Sequence, residues 1–278
     1  MGLRMFSGRA SARVEPGPAG WYEHKRISNL GKLEDLMYDG RVQWVFLGMP
    51  GVGKGTYASR VADLMQVPHI SAGDLVREEL RKGSAYAQEM QEVIQAGQLL
   101  PDSMILDLIK ARLHQGQQMG ERGFILDGFP RTALQAAALE DIAEITLALN
   151  LRLREDVLVQ KCLGRRTCGQ CGKGFNLADI NVAGVNGAPR IVMPPMSPPS
   201  ACIGKMVMRS DDTEEIVRKR LAVYKEQSQP VEDFYRRRDV LLDFDVGGGI
   251  PETWPRLLKA LYDENREREL LEPEPRAA

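Results

Sequence analysis

Residues 48–56 form a glycine-rich segment that is typical of a phosphate-binding turn between a strand and a helix. The segment reads Gly-Met-Pro-Gly-Val-Gly-Lys-Gly-Thr, follows an apolar run at residues 42–47 and precedes a stretch with helical spacing at residues 57–65. Glycines let successive backbone N–H groups converge on phosphate oxygens, and the helix N-terminus adds partial positive charge. Lys54 adds a full charge for the β- and γ-phosphates. The segment therefore predicts a nucleoside triphosphate site.

The segment departs from the generic phosphate-loop pattern at one position. That pattern has Ser or Thr directly after the lysine, whereas Gly55 here separates Lys54 from Thr56. The hydroxyl of Thr56 is the group expected to help hold magnesium. A glycine-rich turn with a chance lysine is the structural alternative.

Composition limits the classes of protein to consider. The chain has 278 residues, of which 43% are hydrophobic, and its formal net charge is −1. These values predict a globular protein with no general attraction to nucleic acid. No apolar run approaches the length of a membrane span. Four cysteines are too few for a disulfide scaffold and indicate a reducing compartment or a metal role.

The N-terminal region differs from the rest of the chain. Arg4, Arg9 and Arg13 occur with no acidic residue before Glu15, and Pro16 begins a segment that breaks regular structure. This composition predicts that residues 1–40 are a leader, either an organellar transit segment or a plain tail. A plastid is expected ahead of a mitochondrion, with the cytoplasm as the remaining alternative.

From residue 42 onward, strand-like and helical patterns alternate. Strands are predicted at residues 42–47, 69–70, 123–126, 145–149 and 241–244. Further helices are predicted at residues 74–82, 86–96, 102–113, 133–141, 155–165, 213–228 and 252–263. The pattern favours an α/β fold with a parallel sheet covered on both faces. Residues 167–206, rich in Gly and Pro, interrupt it and predict an inserted lid.

A second site-like sequence ends the predicted strand at residues 123–126. It reads Asp127-Gly128-Phe129-Pro130-Arg131, in which the carboxylate can hold magnesium through water and the guanidinium can face a phosphate. An Asp-capped turn from strand to helix is the alternative explanation.

Further motifs occur in a fixed order with these two. They are Gly73-Asp74-Leu75-Val76-Arg77, Gln135 after the second sequence, Cys162-Leu163-Gly164-Arg165-Arg166, Arg209-Ser210-Asp211-Asp212, and Arg218-Lys219-Arg220. In order and spacing the chain resembles the adenylate kinases with a long lid, most closely the plant and algal organellar forms. The resemblance covers roughly residues 42–260.

The resemblance implies a phosphate-loop kinase fold with two insertions. Its kinase domain would span residues 41–260, followed by a charged tail at 261–278. The core would comprise residues 41–70, 101–164 and 210–260, the monophosphate-binding region residues 71–100, and the lid residues 165–209.

It also implies the residues of a two-nucleotide site. ATP would be bound by Pro50, Gly51, Val52, Gly53, Lys54, Gly55, Thr56 and Arg165. AMP would be bound by Ala72, Arg77, Leu100, Gly128, Phe129, Arg131, Gln135, Arg209 and Arg220. The residues matched to catalysis are Lys54, Asp127, Arg131, Arg165, Arg209 and Arg220. The implied partners are ATP, AMP and ADP, with magnesium held through Thr56 and Asp127, and the family is usually monomeric.

Ala72 makes the acceptor base less certain than the reaction. Most members of the family carry threonine there, beside the adenine of AMP, whereas pyrimidine monophosphate kinases carry alanine. Losing that hydroxyl removes a potential hydrogen bond worth about 1 kcal/mol. CMP, UMP or GMP are therefore alternative acceptors.

The lid cysteines suggest a metal but do not complete a site. Cys168 and Cys171 have zinc-knuckle spacing, and Cys202 lies near the other end of the lid. Pro199 stands where some bacterial relatives carry the fourth ligand, so no structural zinc is expected. Cys162 is expected to pack in the core.

Parts of the sequence also fit two other classes of protein and one purely structural alternative. A nucleotide-binding switch would need no acceptor arginines such as Arg77 and Arg131. A redox protein using Cys168 and Cys171 would place them at a strand-to-helix turn. For Arg218 and Lys219 a solvated helix face is expected, with Asp212 and Glu215 as possible caps of that helix.

Overall fold

A computed structural model describes residues 42–95, 100–185, 187–209 and 212–271, with side chains up to residue 264. The leader predicted at residues 1–40 lies outside the described residues, as do residues 272–278 of the predicted tail.

A five-stranded parallel sheet forms the centre of the protein. Its strands are β1 (Gln43–Gly48), β2 (His69–Ser71), β3 (Phe124–Asp127), β4 (Leu147–Arg152) and β10 (Leu241–Asp245). They lie in the order β10-β4-β1-β3-β2, and every neighbouring pair is parallel. The glycine-rich loop thus leaves the carboxyl end of the central strand, the edge at which open α/β sheets bind ligands.

Eight helices connect the strands in the described part of the chain. They are α1 (Lys54–Met65), α2 (Ala72–Lys82), α3 (Ala85–Gln95), α4 (Asp102–Gln118), α5 (Ala133–Glu140), α6 (Glu155–Gly164), α7 (Glu214–Arg237) and α8 (Ile250–Leu271). All the predicted strands and helices are present, so the predicted α/β fold is confirmed.

Some predicted boundaries were wrong. The strand predicted at 145–149 begins at Leu147 and runs to Arg152, because the Asn150 amide donates to Asp243 Oδ1 at 2.8 Å and so tolerates burial. The helix predicted at 213–228 runs nine residues further, to Arg237, through Pro230. Buried Val231 and Tyr235 anchor that extension by packing on the sheet.

Alternate side chains of each strand enter two apolar clusters on opposite faces of the sheet. In β1, Trp44 and Phe46 belong to one cluster, and Val45 and Leu47 to the other. This alternation follows from the two-residue period of a strand. Because packed apolar side chains cover both faces of the sheet, the loops at its carboxyl edge start from rigid positions.

The segment predicted as a lid contains two small antiparallel sheets. One comprises β5 (Arg165–Cys168), β6 (Gly174–Asn176) and β9 (Met206–Val207), and the other is a hairpin of β7 (Ile180–Val182) and β8 (Ile191–Met193). The hairpin packs on the core through Ile180, Ile191 and Met193. The Gly249 N–H also donates to the Val192 carbonyl at 3.1 Å. The hairpin therefore belongs to the core by its contacts.

Among the described helices, none is long and apolar enough to cross a membrane.

Candidate functional site

The glycine-rich loop turns sharply between β1 and α1. Gly48 has a φ of 133°, and a Cβ there would lie 2.4 Å from the carbonyl oxygen of Leu151 on the neighbouring strand. Only glycine combines that backbone conformation with so close an approach. The loop closes by a Val52 N–H bond to the Met49 carbonyl at 3.2 Å, and α1 begins at Lys54. The N-terminus of α1 therefore faces the site, as the sequence predicts.

Lys54 lies folded back over the loop. Its Nζ donates to the carbonyl oxygens of Gly48 and Met49 at 2.6 and 3.2 Å. Burial lowers the pKa of Lys54 from 10.5 to about 8; nearby Asp127 opposes this shift, while Arg131, Arg220 and Arg165 add to it. The lysine thus lies among three further cations, an arrangement suited to a polyanionic ligand.

Gly55 faces the carboxylate at the end of β3. A Cβ at Gly55 would lie 3.2 Å from Asp127 Oδ2. A serine or threonine directly after the lysine would therefore crowd that carboxylate, which gives a steric reason for the variant order Lys-Gly-Thr. Thr56 is exposed in the first turn of α1, and its N–H donates to the Gly53 carbonyl at 3.0 Å.

Arg131 and Gln135 are joined to each other by a hydrogen bond. The Arg131 backbone N–H donates to Gln135 Oε1 at 2.6 Å, and its side-chain Nε donates to the Gly128 carbonyl at 2.8 Å. Gln135 is 5% exposed, and its Nε2 donates to Asp102 Oδ1 at 2.6 Å. Burial and the neighbouring Arg220 lower the pKa of Arg131, while Asp127 opposes the shift. Arg131, whose guanidinium suits a phosphate, therefore lies next to the Gln135 amide, whose orientation is fixed by hydrogen bonds.

Arg165 is held by a buried carboxylate. Its Nε donates to Asp212 Oδ2 at 2.8 Å, Nη2 bonds to Oδ1, and the Asp212 side chain is fully buried. The sequence suggested Asp212 as a cap of the helix that starts beside it, which was wrong. Thr213 is the N-cap, and its hydroxyl accepts from the Ile216 N–H. Two charge-assisted hydrogen bonds to Arg165 stabilise the Asp212 carboxylate more than a single capping bond to a backbone N–H would.

The other predicted acceptor residues line the β2 side of the sheet edge. Ala72 starts α2 and is buried, as is Phe129, whereas Leu100 is partly exposed. Arg77 lies on α2 with its guanidinium paired to Asp74, and both side chains are more than half exposed. Arg77 is thus available to a ligand only if it leaves a weak surface pair.

Arg209 is exposed just beyond β9. Arg220 lies on α7 and is among the cations that lower the pKa of Lys54. Arg218 and Lys219 pair with exposed Glu214 and Glu215 one turn earlier, which confirms them as a solvated face.

Three lid thiols lie together. The Sγ atoms of Cys168, Cys171 and Cys202 lie within 4.8 Å of one another, and no fourth His, Cys, Asp or Glu among the described residues joins them. Backbone N–H groups of Cys171 and Gln170 lower the pKa of Cys168 to about 7. Cys162 is fully buried in the core, as the sequence predicts.

Sequence reasoning missed two residues near the loop. Lys161 on α6 donates its Nζ to the Val52 carbonyl at 3.2 Å, and burial lowers its pKa to about 8. His69 Nε2 lies 3.7 Å from Asp127 Oδ2. Neither belongs to a recognisable local motif, since both reach the site from elements distant in sequence.

The fold and the site define a phosphate-loop, nucleotide-binding α/β protein with a cluster of arginines beside the loop. A protein-family model described as Adenylate kinase matches residues 46–240, more than half of the chain. The chain belongs to the adenylate kinase family.

Individual relatives agree with this assignment. Adenylate kinase 1, chloroplastic, of Arabidopsis thaliana is 57% identical over 269 residues, which cover 96% of this chain and 93% of the relative. Adenylate kinase of Solanum tuberosum is 55% identical over 229 residues, covering 82% of this chain and 80% of the relative. Adenylate kinase of Thermotoga petrophila is 39% identical over 223 residues, covering 77% and 94%.

Proposed function

We propose that this protein catalyses the reversible, magnesium-dependent transfer of the γ-phosphoryl group of ATP to AMP, giving two ADP. The observation that supports this proposal is the cluster of four cations, Lys54, Arg131, Arg165 and Arg220, in which Asp127 lies near Lys54 and Arg131 while Asp212 pairs with Arg165. Four cations suit two polyanions better than a single triphosphate. Family membership and the names of the relatives support the same reaction.

The donor half of the site would be the loop and its flanking cations. ATP phosphates would be bound by the backbone and side chains of Pro50, Gly51, Val52, Gly53, Lys54, Gly55 and Thr56, with Arg165. The lysine that now bonds the loop carbonyls would exchange those bonds for phosphate oxygens, which are stronger acceptors.

The acceptor half would be built on the β2 and β3 side. AMP would contact Ala72, Arg77, Leu100, Gly128, Phe129, Arg131, Gln135, Arg209 and Arg220. Arg131 would bind the monophosphate and the Gln135 amide would read the base edge. Arg209, exposed just beyond β9, would be carried toward the phosphates by movement of the lid.

The residues of this site carry out positioning rather than proton abstraction. A phosphate monoester has a second pKa of about 6, so the attacking oxygen of AMP is already deprotonated near neutral pH. The arginines hold donor and acceptor in line and stabilise charge on the transferring group. Closure of the lid through its three-stranded sheet, β5, β6 and β9, would exclude water that otherwise hydrolyses ATP.

Magnesium bound with ATP supplies further neutralisation of phosphate charge. Thr56 and Asp127 are the residues that would hold it, and their hydroxyl and carboxylate oxygens suit a hard cation.

A coupled assay tests the proposal. With magnesium and ADP alone, the protein should form equal amounts of ATP and AMP, and Lys54→Met should reduce turnover by about a hundredfold or more. An exposed-lysine variant, Lys219→Met, is the matched control and should retain full turnover. No formation of ATP and AMP by the wild-type protein would refute the assignment, as would near-normal turnover of Lys54→Met.

The acceptor base is proposed to be adenine because of the Gln135 amide, although Ala72 lacks the family's threonine hydroxyl. AMP, CMP, UMP and GMP compared at equal ATP would test this directly. A kcat/KM for CMP or UMP equal to that for AMP would favour a broad monophosphate kinase instead.

The lid is proposed to need no zinc. Within the part of the chain that the structure describes, the three thiols fall one ligand short of a closed tetrahedral site, whereas strand pairing and the packed hairpin already support the segment. Metal analysis of the purified protein checks this. About one zinc per chain would overturn the proposal.

We further propose that the protein is a monomer that works in plastids. The chloroplastic names of several relatives support this location ahead of the mitochondrion. A fluorescent protein fused behind residues 1–40 should enter plastids, and light scattering should give a mass near 31.0 kDa for the full chain. Cytoplasmic fluorescence or a doubled mass would contradict these proposals.

A further inference from the structure

The side-chain amide of Gln135 is held at both ends. Its Oε1 accepts from the Arg131 backbone N–H at 2.6 Å, and its Nε2 donates to Asp102 Oδ1 at 2.6 Å. Gln135 is in the first turn of α5, and Asp102 is in the first turn of α4. Two elements separated by β3 thus fix one amide group.

The chemistry of the two partners determines which end of the amide is which. A backbone N–H can only donate, and an ionised carboxylate can only accept. Turning the Gln135 amide over would place its N–H groups against the Arg131 N–H and its oxygen against the Asp102 carboxylate. Both bonds would become repulsive, so the observed orientation is the one that satisfies both partners.

One donor and one acceptor of the amide remain for a ligand. Each amide nitrogen has two N–H groups and each amide oxygen two lone pairs, and one of each is used by Asp102 and Arg131. A 6-aminopurine presents an N–H donor at position 6 and an acceptor at N1, whereas a 6-oxopurine presents the reverse. The Gln135 amide can pair with the edge of either purine, but the two purines require opposite orientations of its oxygen and nitrogen.

We propose that Asp102 is a positioning residue that sets the acceptor specificity of the kinase by holding the Gln135 amide in the orientation that pairs with a 6-aminopurine. Asp102 does not touch the nucleotide in this mechanism and acts through Gln135. The inference rests on the proposed function, because it takes the base of the acceptor monophosphate to lie at Gln135.

The test compares AMP with inosine monophosphate. Inosine monophosphate has the 6-oxo edge without the 2-amino group of guanine, so the comparison isolates the polarity of the edge. In wild-type protein kcat/KM for AMP should exceed that for inosine monophosphate. In Asp102→Leu that ratio should fall by about tenfold, mainly through a higher KM for AMP, with the KM for ATP unchanged.

Two variants control for a structural effect. Asp102→Asn should lower the ratio less than Asp102→Leu, because its amide oxygen can still accept from Gln135, and it carries the test if the leucine variant does not fold. Asp107→Asn removes a charge from the same helix α4 at another exposed position and should leave the ratio unchanged. Melting temperatures separate losses of stability from changes of specificity.

The outcomes distinguish this inference from the proposed function. A wild-type protein that does not phosphorylate AMP refutes the proposed function and the inference with it. A wild-type protein that phosphorylates AMP, with the same ratio in both Asp102 variants, refutes the role of Asp102 alone. A ratio that falls in the Asp102 variants but not in Asp107→Asn supports it.

Discussion

Asp212→Asn tests the buried ion pair that holds Arg165 at the start of the lid. Asp212 is fully buried and bonded at both oxygens to Arg165, whose side chain is 22% exposed. The asparagine keeps the shape and one acceptor but removes the charge. Arg165 then loses its charged partner Asp212 in a region that already holds Lys54 and Arg220.

The expected loss of stability follows from that geometry. Removing one partner of a buried pair costs about 3–5 kcal/mol, and the partial exposure of Arg165 places this case near 3 kcal/mol. For a domain of this size, 1 kcal/mol shifts the melting temperature by about 2–4 °C, so Asp212→Asn should melt roughly 6–12 °C lower.

Thermal unfolding followed by circular dichroism measures the effect, with Glu214→Gln as the matched control. Glu214, two residues after Asp212 in the first turn of α7, pairs with Arg218, but both side chains are more than half exposed. An exposed pair of this kind is worth about 0.5 kcal/mol. In the Arg165→Gln background, Asp212→Asn should cost measurably less, because the cation is gone. Equal melting shifts for Asp212→Asn and Glu214→Gln would refute the reasoning.

Three further predictions concern the loop. The pKa of Lys54 in the folded protein is about 8, below the ordinary 10.5, so ATP affinity measured by calorimetry should fall as pH rises through about 8, and Lys54→Met should lack this fall. Between about pH 8 and 10.5 the unfolded chain holds a proton that the folded chain has released. Ionisation of Lys54 therefore makes folding more favourable as pH rises through that range. Gly48→Ala should lower the free energy of unfolding measured with urea by about 3 kcal/mol, against about 1 kcal/mol for Gly83→Ala, where φ is positive but a Cβ would make no close contact. Equal losses of stability in the two variants would contradict the steric argument. Gly55→Ser should push against Asp127 and raise the magnesium concentration for half-maximal rate about tenfold, and an unchanged magnesium dependence would argue against that crowding.

Local signals explain why much of the fold was predictable. The strand, loop and helix around Lys54 are adjacent in sequence, so periodicity and glycine spacing suffice to predict them. The same holds for the turn after β3, where Asp127 and Arg131 are four residues apart. The boundaries that were wrong, at Asn150 and beyond Pro230, lie where tertiary partners offset an unfavourable local preference.

The lid illustrates what local patterns leave undecided. Gly and Pro content indicated an insertion, but only the folded chain reveals that the β7–β8 hairpin packs on the core while the three-stranded sheet carries the thiols. The reason is that Ile180 and Ile191 meet apolar partners from helices and strands far along the chain.

The sequence alone determined the chemistry of this protein. Its glycine-rich loop with Lys54 predicted a nucleoside triphosphate site, the resemblance of its ordered motifs to the adenylate kinases implied a second nucleotide, and the family assignment agrees. The tertiary structure decided which charges meet. It pairs Arg165 with Asp212 and orients Gln135 through Asp102. Such pairings depend on distances between segments that are remote in sequence. A buried charge must be paired, but its position in the sequence does not reveal which residue will pair with it.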